Sequence, residues 1–204
     1  MISKKKENAV RSLVSLYTVV IGVALSVSVL TLIDPKTGLS AVTGGSVLLF
    51  GAFVATLLPF YHGALRHLDD AYLESDSTQI KDGALIFDFL LLFFHAMVFV
   101  VLALLIHRPV DFAWLLIALL LVDIIWAIFA HFGSSAAAPG GAEGKWGLIN
   151  FGFVGVAVVY LFTNSISFGT SATDDARVAL PVFVFAAIRT AVDYSVCKRF
   201  YFPP

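Results

Sequence analysis

Leu58-Pro59-Phe60-Tyr61-His62-Gly63-Ala64-Leu65-Arg66-His67-Leu68-Asp69-Asp70-Ala71-Tyr72 is where an apolar run breaks into a dense set of ionisable groups. Val47 to Phe60, before the break, is almost wholly apolar, and the chain returns to apolar sequence at Leu85. At helical spacing His62, Arg66 and Asp69 or Asp70 share one face. The pattern predicts a membrane helix that runs on beyond the lipid with a polar stripe.

Composition agrees with that reading. The 204 residues are 59% hydrophobic and 13% charged, and the mean hydropathy is +0.93. An ordinary soluble domain is about 45–50% apolar and about 25% charged. Several apolar runs approach the roughly 20 residues needed to cross a hydrocarbon core. Backbone polar groups in lipid must be paired within their own segment, so such runs are helices. A barrel would show alternating segments of about ten residues, and these runs are continuous. The net charge of −1 implies no nucleic-acid or acidic partner. A single Cys197 excludes an internal disulfide and any multi-cysteine zinc or iron–sulfur site. Lys4, Lys5, Lys6 and Arg11 lead into the first apolar segment with no small-residue cleavage motif close behind, so that segment is expected to be retained.

The expected fold is an all-α integral membrane protein, one domain over 1–204 with six transmembrane helices. The spans are read at about 10–33, 44–65, 83–107, 111–132, 146–163 and 176–196. Asp34-Pro35-Lys36-Thr37-Gly38 is a turn by composition, and Pro59 is a candidate kink. Arg108-Pro109 and Asp111 join the third and fourth helices as a tight hairpin. Residues 66–82 form a polar connection, partly helical, and residues 133–141 a small-residue loop without a phosphate-binding pattern. The fifth span is read as the shortest. The fourth, rich in Leu and Ile with Trp114 and Trp126, suits contact with lipid.

Orientation follows from the basic residues. With the N-terminus in the cytoplasm, six spans return the C-terminus there. Lys4, Lys5, Lys6, Arg11, Arg66, Lys81, Lys145, Lys198 and Arg199 then lie inside, against Lys36, Arg108 and Arg177 outside. Phe200-Tyr201-Phe202 would be aromatic anchors at the inner interface. The expected location is the inner (cell) membrane.

Depth can then be assigned to the intramembrane polar residues. His62, Asp88, Asp123, Asn150, Arg189 and Asp193 fall in roughly one layer of the second to sixth helices, with His95 two turns deeper than Asp88 on the same face. A charge at the centre of a spanning helix costs about 2.5–3.5 kcal/mol on the insertion scale, so these groups should face one another. The natural pairing is Arg189 with Asp88 or Asp123. One Arg among carboxylates can be only a clamp between helices. Three carboxylates against one guanidinium nevertheless leave an excess, and a carboxylate beside His95 or His62 is what a proton relay or cation path needs. His67, His107 and His131 read as interfacial residues. Asp69, Asp70, Glu74 and Asp76 read as a solvated face.

Other chemistries fit less well. Haem held by two histidines needs them opposed at one depth, and His95 lies deeper than His62 or His131. No cofactor is expected. HExxH, GxSxG and P-loop motifs are absent, which leaves a catalytic role unsupported. The identity of any bound metal is not specified by spacing. Gly152 and Gly155 give the fifth helix a thin face suited to self-association. Two functions follow. The first is a small channel or transporter for protons or a small cation, acting as an oligomer. The second is a non-enzymatic membrane subunit of a larger assembly, such as a stress or phage-defence system. It would dock partners through residues 66–82 and use the buried charges as clamps.

Overall fold

The computed structural model describes residues 4–33, 36, 38–39, 42–74, 82–133, 142–164 and 175–203. The elements are α1 (Lys4–Leu32), α2 (Gly44–Asp69), a π-helical turn (Asp70–Glu74), α3 (Asp82–Leu104), α4 (Pro109–Gly133), α5 (Ala142–Thr163), α6 (Asp175–Val196) and the short α7 (Lys198–Tyr201). Among the described residues, six helices are long and apolar enough to cross a membrane. The all-helical bundle expected from composition is present.

Local chemistry sets several helix ends. Thr43 caps α2 in a reciprocal box: its Oγ1 accepts from the Ser46 N–H at 3.1 Å, and Ser46 Oγ accepts from the Thr43 N–H at 2.9 Å. In the α1–α2 connection Gly38 has φ +61°, a conformation that favours glycine. Pro109 opens α4, where its missing N–H costs nothing, and Asp111 in the first turn pairs with Arg108 at 2.5 Å. Ser26 and Ser28 bond back to the carbonyls of Gly22 and Leu25.

Two helices contain an interior proline, and each is repaired by a neighbour. Pro59 removes the N–H that would meet the Ala55 carbonyl. That carbonyl accepts instead from Thr190 Oγ1 of α6 at 2.6 Å. Pro181 likewise frees the Arg177 carbonyl, which accepts from the Tyr160 hydroxyl of α5 at 2.5 Å. Helix α2 is therefore helical throughout Gly44–Asp69, Pro59 included.

The helices pack chiefly as α2 on α6, α1 on α3 and α4 on α5, with α2 also touching α1, α3, α4 and α7. Helices α4 and α2 are the most buried of the six. The main core joins Tyr17, Leu49, Phe53, Leu57, Phe99 and Leu102. A second, smaller cluster joins Trp126, Ala127, Ala142, Trp146, Cys197 and Tyr201 where α2, α4 and α6 end and α5 begins. The outer faces carry large exposed apolar side chains such as Val19, Leu30, Phe129, Leu148, Phe151 and Phe162. So much apolar surface is costly in water and natural in lipid.

Two expectations need correction. The fifth helix begins at Ala142 and has 22 residues, the same length as the sixth, because polar Lys145 and the residues before it are still helical. Trp126 is buried rather than lipid-facing, since its indole turns inward to a carboxylate. The 66–82 connection is partly helical as expected: α2 continues to Asp69 and the π-helical turn follows, while residues 75–81 lie outside those described. The side chain of His131 and residues 134–141 are also outside them.

Candidate functional site

The polar residues anticipated in one layer divide into two clusters at the same end of the bundle. In the first, Asp88 of α3 accepts three hydrogen bonds. Its Oδ2 accepts from the Tyr72 hydroxyl at 2.6 Å and from His67 Nε2 at 3.0 Å, and its Oδ1 accepts from Trp126 Nε1 at 3.1 Å. The π-helical turn brings Tyr72 to this site, and wide turns of that kind recur where a side chain must be re-aimed. Asp88 thus ties the end of α2 and the turn to α3 and α4, with both oxygens engaged.

The second cluster lies deeper. Arg189 of α6 donates through Nε to Asn150 Oδ1 of α5 at 2.6 Å, and Asn150 Nδ2 donates to Asp123 Oδ2 of α4 at 2.5 Å. All three are buried, Asn150 completely. One amide therefore links a guanidinium to a carboxylate by its two opposite ends. The guanidinium also lies over the Phe60 ring, 5.1 Å from its centroid. Asp193, one helical turn beyond Arg189, accepts from the Tyr201 hydroxyl of α7 at 3.0 Å. The Trp146 indole and the Cys197 thiol lie beside the same carboxylate, the indole N–H short of hydrogen-bonding geometry. Arg189 acts electrostatically on Asp123 and Asp193 alike.

These groups surround a cavity of about 30 Å³. Its walls are Pro59, Phe60, Gly63 and Ala64 of α2, Leu92 and His95 of α3, Asp123 and Trp126 of α4, Trp146 of α5, Arg189 and Asp193 of α6, and Tyr201. Six buried side-chain polar atoms lack a hydrogen-bond partner among the described residues, and four belong to this wall: His95 Nε2, Trp146 Nε1, Arg189 Nη1 and Asp193 Oδ1. A buried polar atom left unpaired costs about 1–3 kcal/mol, and native proteins avoid it or supply water. Polar atoms line part of this cavity, which exceeds the roughly 10–15 Å³ that one water requires. Its chemistry is that of a hydrated chamber.

A second cavity, of about 40 Å³, abuts the chamber at Arg189. It lies between α2, α4, α5 and α6 and is almost wholly apolar, with Leu116, Leu120, Phe153, Val182 and Phe185 among its walls. Arg189 belongs to both cavities and stands between them.

Most anticipated residues meet here, with changes of role. Asp123, Asn150, Arg189, Asp193 and His95 share the chamber. Arg189 reaches Asp123 through Asn150 rather than directly, because the amide occupies the space between them. Asp88 pairs with His67, Tyr72 and Trp126 and not with Arg189. His62 stands outside the chamber wall, against the rings of Tyr194, Tyr201 and Phe202, with Tyr194 Oη 3.4 Å from its Nδ1. His67, read as interfacial, is a buried carboxylate partner. Tyr201 faces inward and only Phe202 of the three aromatic anchors is strongly exposed. Burial, then the Asp193 charge, push the Tyr201 phenol above its ordinary range, so it keeps its proton and donates.

Trp126, Trp146 and Tyr201 were not anticipated as site residues, although spacing offered a signal. Trp126 follows Asp123 by three residues, Trp146 precedes Asn150 by four, and Asp193, Cys197 and Tyr201 recur every four. No group of three or more His, Cys, Asp or Glu side chains that could hold a metal ion occurs among the described residues. Comparison with protein-family models, with curated proteins and with solved structures gives no match for this chain.

Proposed function

We propose that this chain carries protons across the membrane, with Asp123, Asp193 and His95 as the groups that exchange them through chamber water. One observation carries the reading: four unpaired buried polar atoms converge on one water-sized cavity near the end of the bundle. A purely structural clamp would have its donors and acceptors matched to one another, as Asp88 does. Two carboxylates face one guanidinium here, and the excess negative charge is what a transported proton neutralises. The fixed cation Arg189, which lines both cavities, repels a metal ion there, which favours protons over sodium or potassium. The apolar cavity beyond Arg189 supplies the other half of the route, an apolar space that conducts only when wetted. In this reading the chamber end is cytoplasmic, in keeping with the basic residues, and the chain sits in the inner membrane. Copies associate through Gly152 and Gly155, whose exposed face meets nothing within 4 Å of an added Cβ.

A second reading is favoured by the saturated Asp88 cluster. There the chain is a membrane subunit whose polar groups hold helices together and whose 66–82 connection docks a partner. Proteoliposomes with an internal pH indicator and an imposed potassium-diffusion potential separate the two. Proton uptake by the native chain, abolished in folded Asp123→Asn and Asp193→Asn, is expected. No uptake by the native chain at either sign of potential would overturn proton transport and leave the subunit reading.

A further inference from the structure

We infer that Tyr201 is the gate of the chamber, a removable stopper carried on the short helix α7. The inference rests on the proton-carrying reading of that chamber and adds the residue that controls access to it. Tyr201 is the one wall residue of the cavity that does not belong to a long helix. It is 3% exposed and its hydroxyl closes on Asp193 Oδ2. The ring sits among Tyr194 (4.5 Å), His62 (4.9 Å) and Phe200 (5.6 Å). The seat is cut to fit: a Cβ on Gly63 would stand 3.5 Å from the Tyr201 hydroxyl and 3.3 Å from Trp146 Cζ2.

What holds this stopper is side-chain contact rather than continuous helix. The chain leaves α6 at Cys197, whose φ −100° and ψ 19° break the helix, and no side-chain cap stabilises the start of α7. Backbone hydrogen bonds within α7 are local, from Phe200 and Tyr201 to Cys197 and from Phe202 to Lys198. Its ties to the long helices include the Tyr201–Asp193 bond, a His62 side-chain hydrogen bond to the Tyr201 backbone, Arg66 Nε donating to the Phe200 carbonyl at 3.2 Å, the Phe200 ring edge-on to Trp146 at 4.9 Å, and the contacts of Tyr201 and Phe202 with the His62 and Tyr194 rings. Lys198, Arg199 and Phe202 on the same segment are exposed. A rotation about Cys197 would lift Tyr201 out of the chamber wall, leave the six long helices in place and join the chamber water at Asp193 to the water outside. The aromatic cluster around Cys197 would open with it.

Cys197, the single cysteine, is buried in that seat and reports the opening without reference to transport. The experiment measures its reaction with a membrane-impermeant maleimide beside proton flux, in native protein and in Tyr201→Phe, Tyr201→Ala and Phe200→Ala, with circular dichroism to verify folding. Loss of ring contacts in Tyr201→Ala and Phe200→Ala should speed labelling by about tenfold or more, and raise flux. Tyr201→Phe retains the ring, so labelling should stay near the native rate. Native-rate labelling in folded Tyr201→Ala and Phe200→Ala would overturn the gate, as would equally fast labelling of Tyr201→Phe. Faster labelling with no proton flux in any form would uphold the stopper and overturn the proton route.

Discussion

Replacing Asn150 by Ala removes the one side chain that joins α4, α5 and α6 at the chamber. Its amide makes two hydrogen bonds, at 2.5 and 2.6 Å, each to an ionisable group. In a soluble protein a bond to a charged group is worth about 1.5–3 kcal/mol. Side-chain hydrogen bonds measured inside a bilayer are weaker, about 0.6 kcal/mol on average and about 1.7 at most, because the unfolded state also finds partners. Two bonds then bound the loss at about 1.2 to 3.4 kcal/mol. The upper half applies, since both partners are ionisable and Asn150 is fully buried. The expected destabilisation is about 2.3–3.4 kcal/mol. Reversible unfolding by sodium dodecyl sulfate in mixed micelles measures it, followed by tryptophan fluorescence, because Trp126 and Trp146 stack 6.2 Å apart at the site. A double-mutant cycle with Asp123→Ala should give a coupling of about 1 kcal/mol or more. A cost below about 0.5 kcal/mol, or strict additivity in the cycle, would refute the bridging role assigned to Asn150.

Other outcomes are expected from the same reasoning. Asp88→Asn keeps the shape of the first cluster but weakens three hydrogen bonds, so stability should fall by about 1–2 kcal/mol. Proton flux should persist in that variant; its abolition in folded protein would return Asp88 to the conduction path. Thr190→Val leaves the Ala55 carbonyl unpaired and should cost about 0.6–1.7 kcal/mol. Pro59→Ala restores the missing N–H, so in that background the same Thr190→Val should cost little, and an unchanged cost would contradict the repair. Gly51→Ala would bring a Cβ to 2.8 Å from the Phe183 ring between α2 and α6, and should destabilise by about 1–3 kcal/mol. Gly152→Ala and Gly155→Ala meet nothing within the chain and should leave folding intact while weakening self-association, read by crosslinking in bilayers.

The legible part of this protein is the part written in bulk hydropathy. Long apolar runs fix helices because lipid leaves the backbone no other partner, and six helices long and apolar enough to cross a membrane follow among the described residues. Identities at the chamber were also legible for Asp123, Asn150, Arg189 and Asp193, since charges in an apolar helix must converge. Partner choice was not. Arg189 could have met Asp88 by depth alone, but depth carries no information about azimuth, and α3 turns Asp88 toward His67 and Trp126. Tyr201 was misread for a similar reason. An aromatic after two basic residues at a span's end matches both an interfacial anchor and an inward stopper, and only packing against Trp146 and Gly63 separates them. The proline repairs depend on Thr190 and Tyr160 in other helices, which a local reading cannot see.

The Pro59 repair also imposes an order on biogenesis. Thr190 lies 135 residues after Ala55. At a synthesis rate of about 5–20 residues per second, roughly 7 to 27 s separate the two. During that interval α2 is in the membrane with one carbonyl that no helix has yet met. Tyr160, by contrast, precedes Arg177 and Pro181, so α6 arrives to a hydroxyl already waiting. The young chain is therefore least settled at α2 and becomes complete only when its last long helix docks, which makes α6 the element that closes assembly.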